Sequence, residues 1–142
     1  MEGAALFRLL GDEERLRLIR LLLDEPAGVC VCELVDTLRL PQYQISRQLG
    51  FLRHAGLAEA EKRGTWVYYR VSPDLTPLAA AVTEVLRDHL AGGQWDEDRE
   101  RFRQRLKLRR SGVCVVGYEP GRPYRECIPL TEVDGSLGVT GG

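Results

Sequence analysis

The chain has 142 residues, 44% of them hydrophobic and 29% charged, with a formal net charge of −1. That fits one domain with at most a tail, long enough for a modest core and small enough that a dimer interface would add to it. No apolar run reaches membrane-spanning length and no signal-peptide pattern opens the chain, so a cytoplasmic protein without a membrane partner is expected, its four cysteines reduced and open to metal or thiol chemistry rather than structural disulfides.

Residues 2–10 read as a short first helix with Ala5, Leu6, Leu9 and Leu10 apolar, interrupted at Gly11. Asp12 is the natural N-cap of a second helix running to Leu23, with Glu13 and Glu14 favourably placed in its first turn. Leu16, Ile19, Leu22 and Leu23 form its core face, and Arg15, Arg17 and Arg20 its solvated side. After a loop at Pro26 and Gly28, Leu34, Val35 and Leu38 make the apolar stripe of a third helix with Cys30 and Cys32 at its mouth. Pro41 forces Leu40 out of the helical region and opens a fourth helix, which buries Ile45, Leu49 and Leu52 and ends at Gly56. The aromatic and β-branched run from Thr65 to Val71 reads as a strand, and Lys62-Arg63-Gly64 as the turn that joins it to the segment after Leu57. Ser72-Pro73-Asp74 then caps a long helix from about Leu75, stopped by Gly92-Gly93. Residues 94–110 form a charged, peripheral helix anchored by Trp95, Phe102 and Leu106. Residues 111–142 hold many glycines and are expected to be an irregular, partly disordered tail carrying Cys114 and Cys127, against a domain spanning residues 1–110.

A short helix, a tight turn and a longer helix rich in Gln, Ser and Arg make a helix-turn-helix. Its outer side would show Gln42, Tyr43, Gln44, Ser46, Arg47, Gln48 and Arg53 to a major groove, where Gln and Arg have the geometry to read adenine and guanine edges. An ordinary helical hairpin with a merely solvated face would look similar up to Gly56. The hairpin that follows tips the balance: a wing with a basic tip, Lys62 and Arg63, can lie against phosphates. Between Arg39 and Arg70 six basic residues face two acidic ones, a net +4 that leaves −5 for the rest of the chain. Positive charge is thus concentrated on the unit that would meet DNA.

Five segments occur in order: residues 6–18, Cys30-Val31-Cys32-Glu33-Leu34, Ile45-Ser46-Arg47-Gln48-Leu49, Leu52-Arg53-His54-Ala55-Gly56-Leu57 and Gly64-Thr65-Trp66-Val67-Tyr68-Tyr69-Arg70. Together they resemble the ArsR/SmtB family of small bacterial repressors, over roughly residues 4–90. The resemblance implies a mainly α fold with a β-hairpin wing, a winged helix-turn-helix. It implies a homodimer formed through the first helix and the helix from Leu75 to Leu90, with Leu78, Val82, Val85 and Leu86 at the seam. It also implies a palindromic double-stranded operator that the repressor releases on binding a metal or metalloid ion.

The ion chemistry lies in the cysteines. Residues two apart on an ideal helix point about 200° apart, so Cys30 and Cys32 converge on one ion only if the backbone there is extended or begins a helix. Thiolates select soft, thiophilic centres. Trivalent arsenic or antimony takes three sulfurs in a pyramid. The arsenic-sensing branch of the family often has a third cysteine a few residues on, but Val35 and Asp36 stand there in this chain. Cys114 is the candidate third thiolate, with Cys127 behind it. The plainer reading makes Cys30 a small core residue. The zinc-sensing branch spaces Asp, His and Glu along the dimer helix, and here only the adjacent Asp88 and His89 occur. No nucleophilic triad, carboxylate pair or phosphate loop emerges, so no enzyme is expected. Three readings remain: a repressor released by arsenite or antimonite; the same fold released by cadmium, lead or zinc, or by thiol oxidation; and a small thiol-dependent enzyme or non-DNA interaction module.

Overall fold

The computed structural model describes residues 2–114; Cys127 and the rest of the expected tail lie outside them. Helices α1 (Gly3–Leu10) and α2 (Glu13–Asp24) meet at Gly11. Asp12 caps α2 as expected, its carboxylate accepting from the Arg15 backbone N–H at 3.0 Å. Helix α3 (Val31–Leu38) and helix α4 (Gln42–His54) form the helix-turn-helix, with Arg39 left-handed at φ 58° in the turn and Pro41 at the α4 N-cap. Gly56, at φ 85°, closes α4 in a Schellman arrangement: its N–H donates to Arg53 O and that of Leu57 to Leu52 O, both at 3.0 Å.

Strands β2 (Ala58–Arg63) and β3 (Trp66–Val71) pair antiparallel, Ala58 opposite Val71 and Arg63 opposite Trp66. The turn is Gly64-Thr65, with Gly64 at φ 63°, rather than Lys62-Arg63-Gly64, so Lys62 and Arg63 end the strand. A third strand has no signal of its own in the sequence. β1 (Val29–Cys30) pairs with the other edge of β3, Val29 opposite Tyr69 and Cys30 opposite Tyr68, giving the order β1-β3-β2. It ties the cysteine segment to the base of the wing.

Helix α5 (Pro77–His89) starts later than Leu75, and its cap is Thr76 rather than Ser72-Pro73-Asp74. The residue before a proline is pushed to extended backbone. Thr76 adopts that conformation, and its hydroxyl accepts from Ala79 N–H at 3.3 Å. Helix α6 (Gly93–Leu106) follows. Leu18, Ile19, Leu22, Leu34, Val35, Ile45, Leu49, Leu52 and Leu57 build one core that also takes in Phe102 of α6. Among the described residues, no helix is long and apolar enough to cross a membrane.

Two expectations fail together. Helix α6 is not peripheral and the α2 arginines are not merely solvated. Arg17 makes a two-pronged ion pair with Asp98, both bonds 2.8 Å. Arg20 is buried, bonded to Asp24 at 2.8 Å and to the carbonyls of Arg87 and Leu90. Arg15 donates to Leu9 O at 2.6 Å and to Gln48 Oε1 at 3.0 Å. Arg105 is fully buried against Asp36 of α3 at 2.6 Å. Arginine supplies several donors in a fixed fork, so it can enter a core where acceptors meet it.

Candidate metal centre and nucleic-acid interface

Cys30 is both the last residue of β1 and the N-cap of α3, with extended backbone at φ −87°, ψ 158°. That breaks the helical phase between it and Cys32. Their sulfurs lie 3.2 Å apart, and Cys114 Sγ lies 3.4 Å from Cys32 Sγ. All three Sγ atoms fall within 4.8 Å of one another, and all three residues are buried. Cys114 reaches this place through a tight turn: Ser111 and Gly112 have φ 54° and 75°, and Arg110 and Val113 exchange hydrogen bonds across them. The Tyr68 hydroxyl accepts from Cys114 N–H at 2.9 Å, and Trp66 packs against the cluster.

The thiols hold their protons tightly. Hydrogen bonding to Cys114 and Cys32, then burial, raises Cys30 far above the usual thiol range. Hydrogen bonding to Cys114 and burial push Cys32 up to about 12, although its bond to Cys30 and the charge of Arg105 work the other way. Around the sulfurs runs a charged frame. The Glu33 carboxylate accepts from Cys30 N–H at 3.1 Å and from two Arg109 nitrogens at 2.7 Å. Burial opposes the charges of Arg105 and Arg109, but Asp36 and Glu33 outweigh it and raise both guanidiniums. Arg105 and Arg109 therefore remain cationic beside any negative charge gathered on the sulfurs. Glu33 belongs to the Cys30–Leu34 segment, but Arg105 and Arg109 carry no motif of their own, and only the fold brings them to the site.

A cavity of about 210 Å³ lies between this centre and the start of α4, lined by Cys30, Val31, Cys32, Gln42, Trp66 and Val67. It borders the thiol segment, the first residue of α4 and the wing at once.

On α4, Gln42, Tyr43, Arg47 and Arg53 are exposed, and Gln44 and Ser46 half-buried. Gln48 departs from expectation. It is buried, its amide nitrogen donating to Glu14 at 2.9 Å and its oxygen accepting from Arg15. It sits on the polar side of α4, but that side is shared between solvent and the polar start of α2. Lys62 is exposed on the wing. Arg63 bends back instead, donating to Glu61 at 2.7 Å and to Ala27 O at 2.6 Å, its guanidinium 4.7 Å from the Tyr68 ring centre. On α5, Val82 and Leu86 lean on the core, whereas Leu78 and Val85 are 44% and 55% exposed; on α1, Phe7 is 58% exposed.

The model of bacterial regulatory proteins of the arsR family matches residues 12–60. The arsenical resistance operon repressor of Escherichia coli (strain K12) is 44% identical over 79 residues, covering 56% of this chain and 67% of the relative. The arsenic resistance transcriptional regulator ArsR1 of Pseudomonas putida is 38% identical over 89 residues, covering 63% and 67%. An uncharacterized HTH-type transcriptional regulator, MJ1325 of Methanocaldococcus jannaschii, is 40% identical over 73 residues, covering 51% and 81%. With its helix-turn-helix, wing and cysteine cluster in place, the chain belongs to the ArsR family: it is a DNA-binding transcriptional repressor, not an enzyme.

Proposed function

We propose that the protein binds a palindromic operator as a homodimer and releases it when arsenite or antimonite binds Cys30, Cys32 and Cys114. The observation that carries this reading is the buried cluster of three sulfurs. Sulfurs 3.2 and 3.4 Å apart subtend only about 90° at an atom bonded to each at about 2.3 Å, whereas a tetrahedral zinc would spread them to about 3.8 Å. These two separations suit a trivalent centre with a lone pair, whose bonds meet at narrow angles. Zinc or cadmium would need a fourth ligand, and among the described residues the cluster has three. The arsenic-related names of two relatives point the same way.

Gln42, Tyr43, Gln44, Ser46, Arg47 and Arg53 are the proposed groove-facing set, with Lys62 on phosphate, and α1 with the exposed side of α5 forms the proposed dimer seam. Release follows from where the sulfurs sit. Cys30 caps α3, and its N–H holds the Glu33 carboxylate. Drawing Cys30 and Cys32 onto an ion reshapes that cap and the cavity that ends at Gln42, so the tilt of α4 changes. The ion must favour the DNA-free conformation, since equal binding to both states releases nothing.

Fluorescence anisotropy with an operator duplex tests this. Serine is a good N-cap, so Cys30→Ser is expected to fold and bind DNA yet ignore arsenite; Cys32→Ser is expected to behave likewise. Normal release from Cys30→Ser overturns the site. X-ray absorption of the arsenic-bound protein should count three sulfurs in wild type and two in Cys114→Ser; three in both moves the third ligand elsewhere, with Cys127 the first suspect.

A further inference from the structure

Beneath the exposed face of α4 lies a polar network joining it to the first turn of α2. Glu14 is its hub. One carboxylate oxygen accepts from the Gln48 amide nitrogen at 2.9 Å and the other from the Gln44 amide nitrogen. Gln48 is fixed at both ends, because Arg15 donates to its oxygen at 3.0 Å and Asp12 accepts from its nitrogen at 3.4 Å. The Arg15 guanidinium also lies 5.4 Å from the Phe51 ring centre on the same helix as Gln48. Gln44 is fixed at one end only. Among the described residues, its amide oxygen has no hydrogen-bond partner, and the side chain is half-buried at the edge of the exposed surface.

We infer that Glu14 is a specificity-determining residue that never touches DNA: it sets which end of the Gln44 amide faces the groove. The inference rests on the reading of α4 as the groove-facing helix. A free glutamine can offer a base edge its donor, its acceptor or both. A carboxylate accepts only, so Glu14 captures the nitrogen end and turns the oxygen outward. In the major groove the donors that an amide oxygen can meet are adenine N6 and cytosine N4. Guanine and thymine present acceptors at the corresponding positions, which an oxygen repels. Gln44 should therefore impose a preference for adenine or cytosine at one position of each half-site. Glu14 also adds a negative charge beneath the proposed groove-facing surface, which lowers affinity for a polyanion.

Selection from a random duplex library works without a known operator sequence and tests the idea directly. Wild-type protein should enrich a symmetric site with one adenine-or-cytosine position per half-site. Gln44→Ala should flatten that position several-fold and leave the others. Glu14→Ala should flatten the same position, and the double variant no further, since both act through one contact. Glu14→Gln has one accepting oxygen for the two amides that Glu14 holds, so it should weaken the preference at that position while binding all sequences more tightly at low salt. A Glu14→Ala profile equal to wild type, with Gln44→Ala altered, overturns the inference, as does retention of the preference in Gln44→Ala. Should Glu14→Ala fail to fold, Glu14→Leu, which also lacks an acceptor, is read in its place, and a wild-type profile there overturns it equally. If wild type enriches no sequence, the groove reading itself fails, a result distinct from both.

Discussion

A buried thiol that binds a divalent cation must release its proton to solvent, whereas with arsenite the proton leaves on the departing hydroxide. Each As–OH group leaves as water with one thiol proton, so three As–O bonds are exchanged for three As–S bonds with no net proton release and no redox change. The Cys30 and Cys32 protons stay on at neutral pH, because both thiols titrate well above the ordinary range. Cadmium must displace them, so its affinity should rise with pH through the neutral range and its binding should release roughly one proton per thiolate formed. Arsenite binding should be flat over the same range. A weakly buffered titration with a pH indicator reads both, and equal release by the two ions would contradict the protonated site. The two basic residues of the wing also divide. Lys62 is exposed, so Lys62→Ala removes one proposed phosphate contact from each protomer and should lower the salt slope of operator binding by about 2. Arg63 is engaged by Glu61, the Ala27 carbonyl and the Tyr68 face, so Arg63→Ala should move the slope less and reduce stability instead, by about 0.5–1 kcal/mol for the ring contact.

Between elements, the bond that matters most is Arg105 to Asp36, fully buried on both sides. It fastens α6 to α3 beside the thiol cluster. Arg105→Ala removes the main counter-charge of a buried carboxylate and should cost about 3–5 kcal/mol in urea denaturation, whereas Arg105→Met combined with Asp36→Leu should recover most of it. The sequence reveals the elements that carry an apolar period and turn chemistry of their own: α2, α3, α4, the wing and the dimer-helix candidate. It fails where burial depends on a distant partner. Nothing local distinguishes Arg105 from its exposed near neighbour Arg103; only Asp36, 69 positions earlier, decides which is inside. Strand β1 is two residues long, too short for any period, and Gln48 is polar on a polar face whose neighbour is not solvent but Glu14 and Arg15. The cysteine pair is legible because two thiolates at that spacing converge only if the backbone at Cys30 is extended or begins a helix, and it is the N-cap. Cys114 is legible only as the first of two tail candidates, ahead of Cys127, because what carries it to the site is the turn at Ser111 and Gly112 and the place where α6 ends.

At the scale of the whole molecule, exposed Phe7, Leu78 and Val85 give the chain an apolar face suited to the second copy proposed above. Val85→Glu is a cleaner test of that seam than a change at Leu86, which leans on the core: sedimentation equilibrium should report monomer, with an unchanged melting curve at low concentration and weakened operator binding. The cysteine cluster has a consequence for mechanical strength as well. Cys30 and Cys32 are neighbours in sequence, but Cys32 and Cys114 are separated by 82 positions. An ion bonded to all three would close a loop that runs from α3 through α4, the wing and α5 to the end of α6. In chain-entropy terms such a closure withdraws about 4.5 kcal/mol of freedom from the unfolded chain. The inducer would then act as a reversible staple, so that the repressor let go by DNA is the form slowest to unravel, and a competing dithiol that strips the ion would loosen the fold as it restores binding.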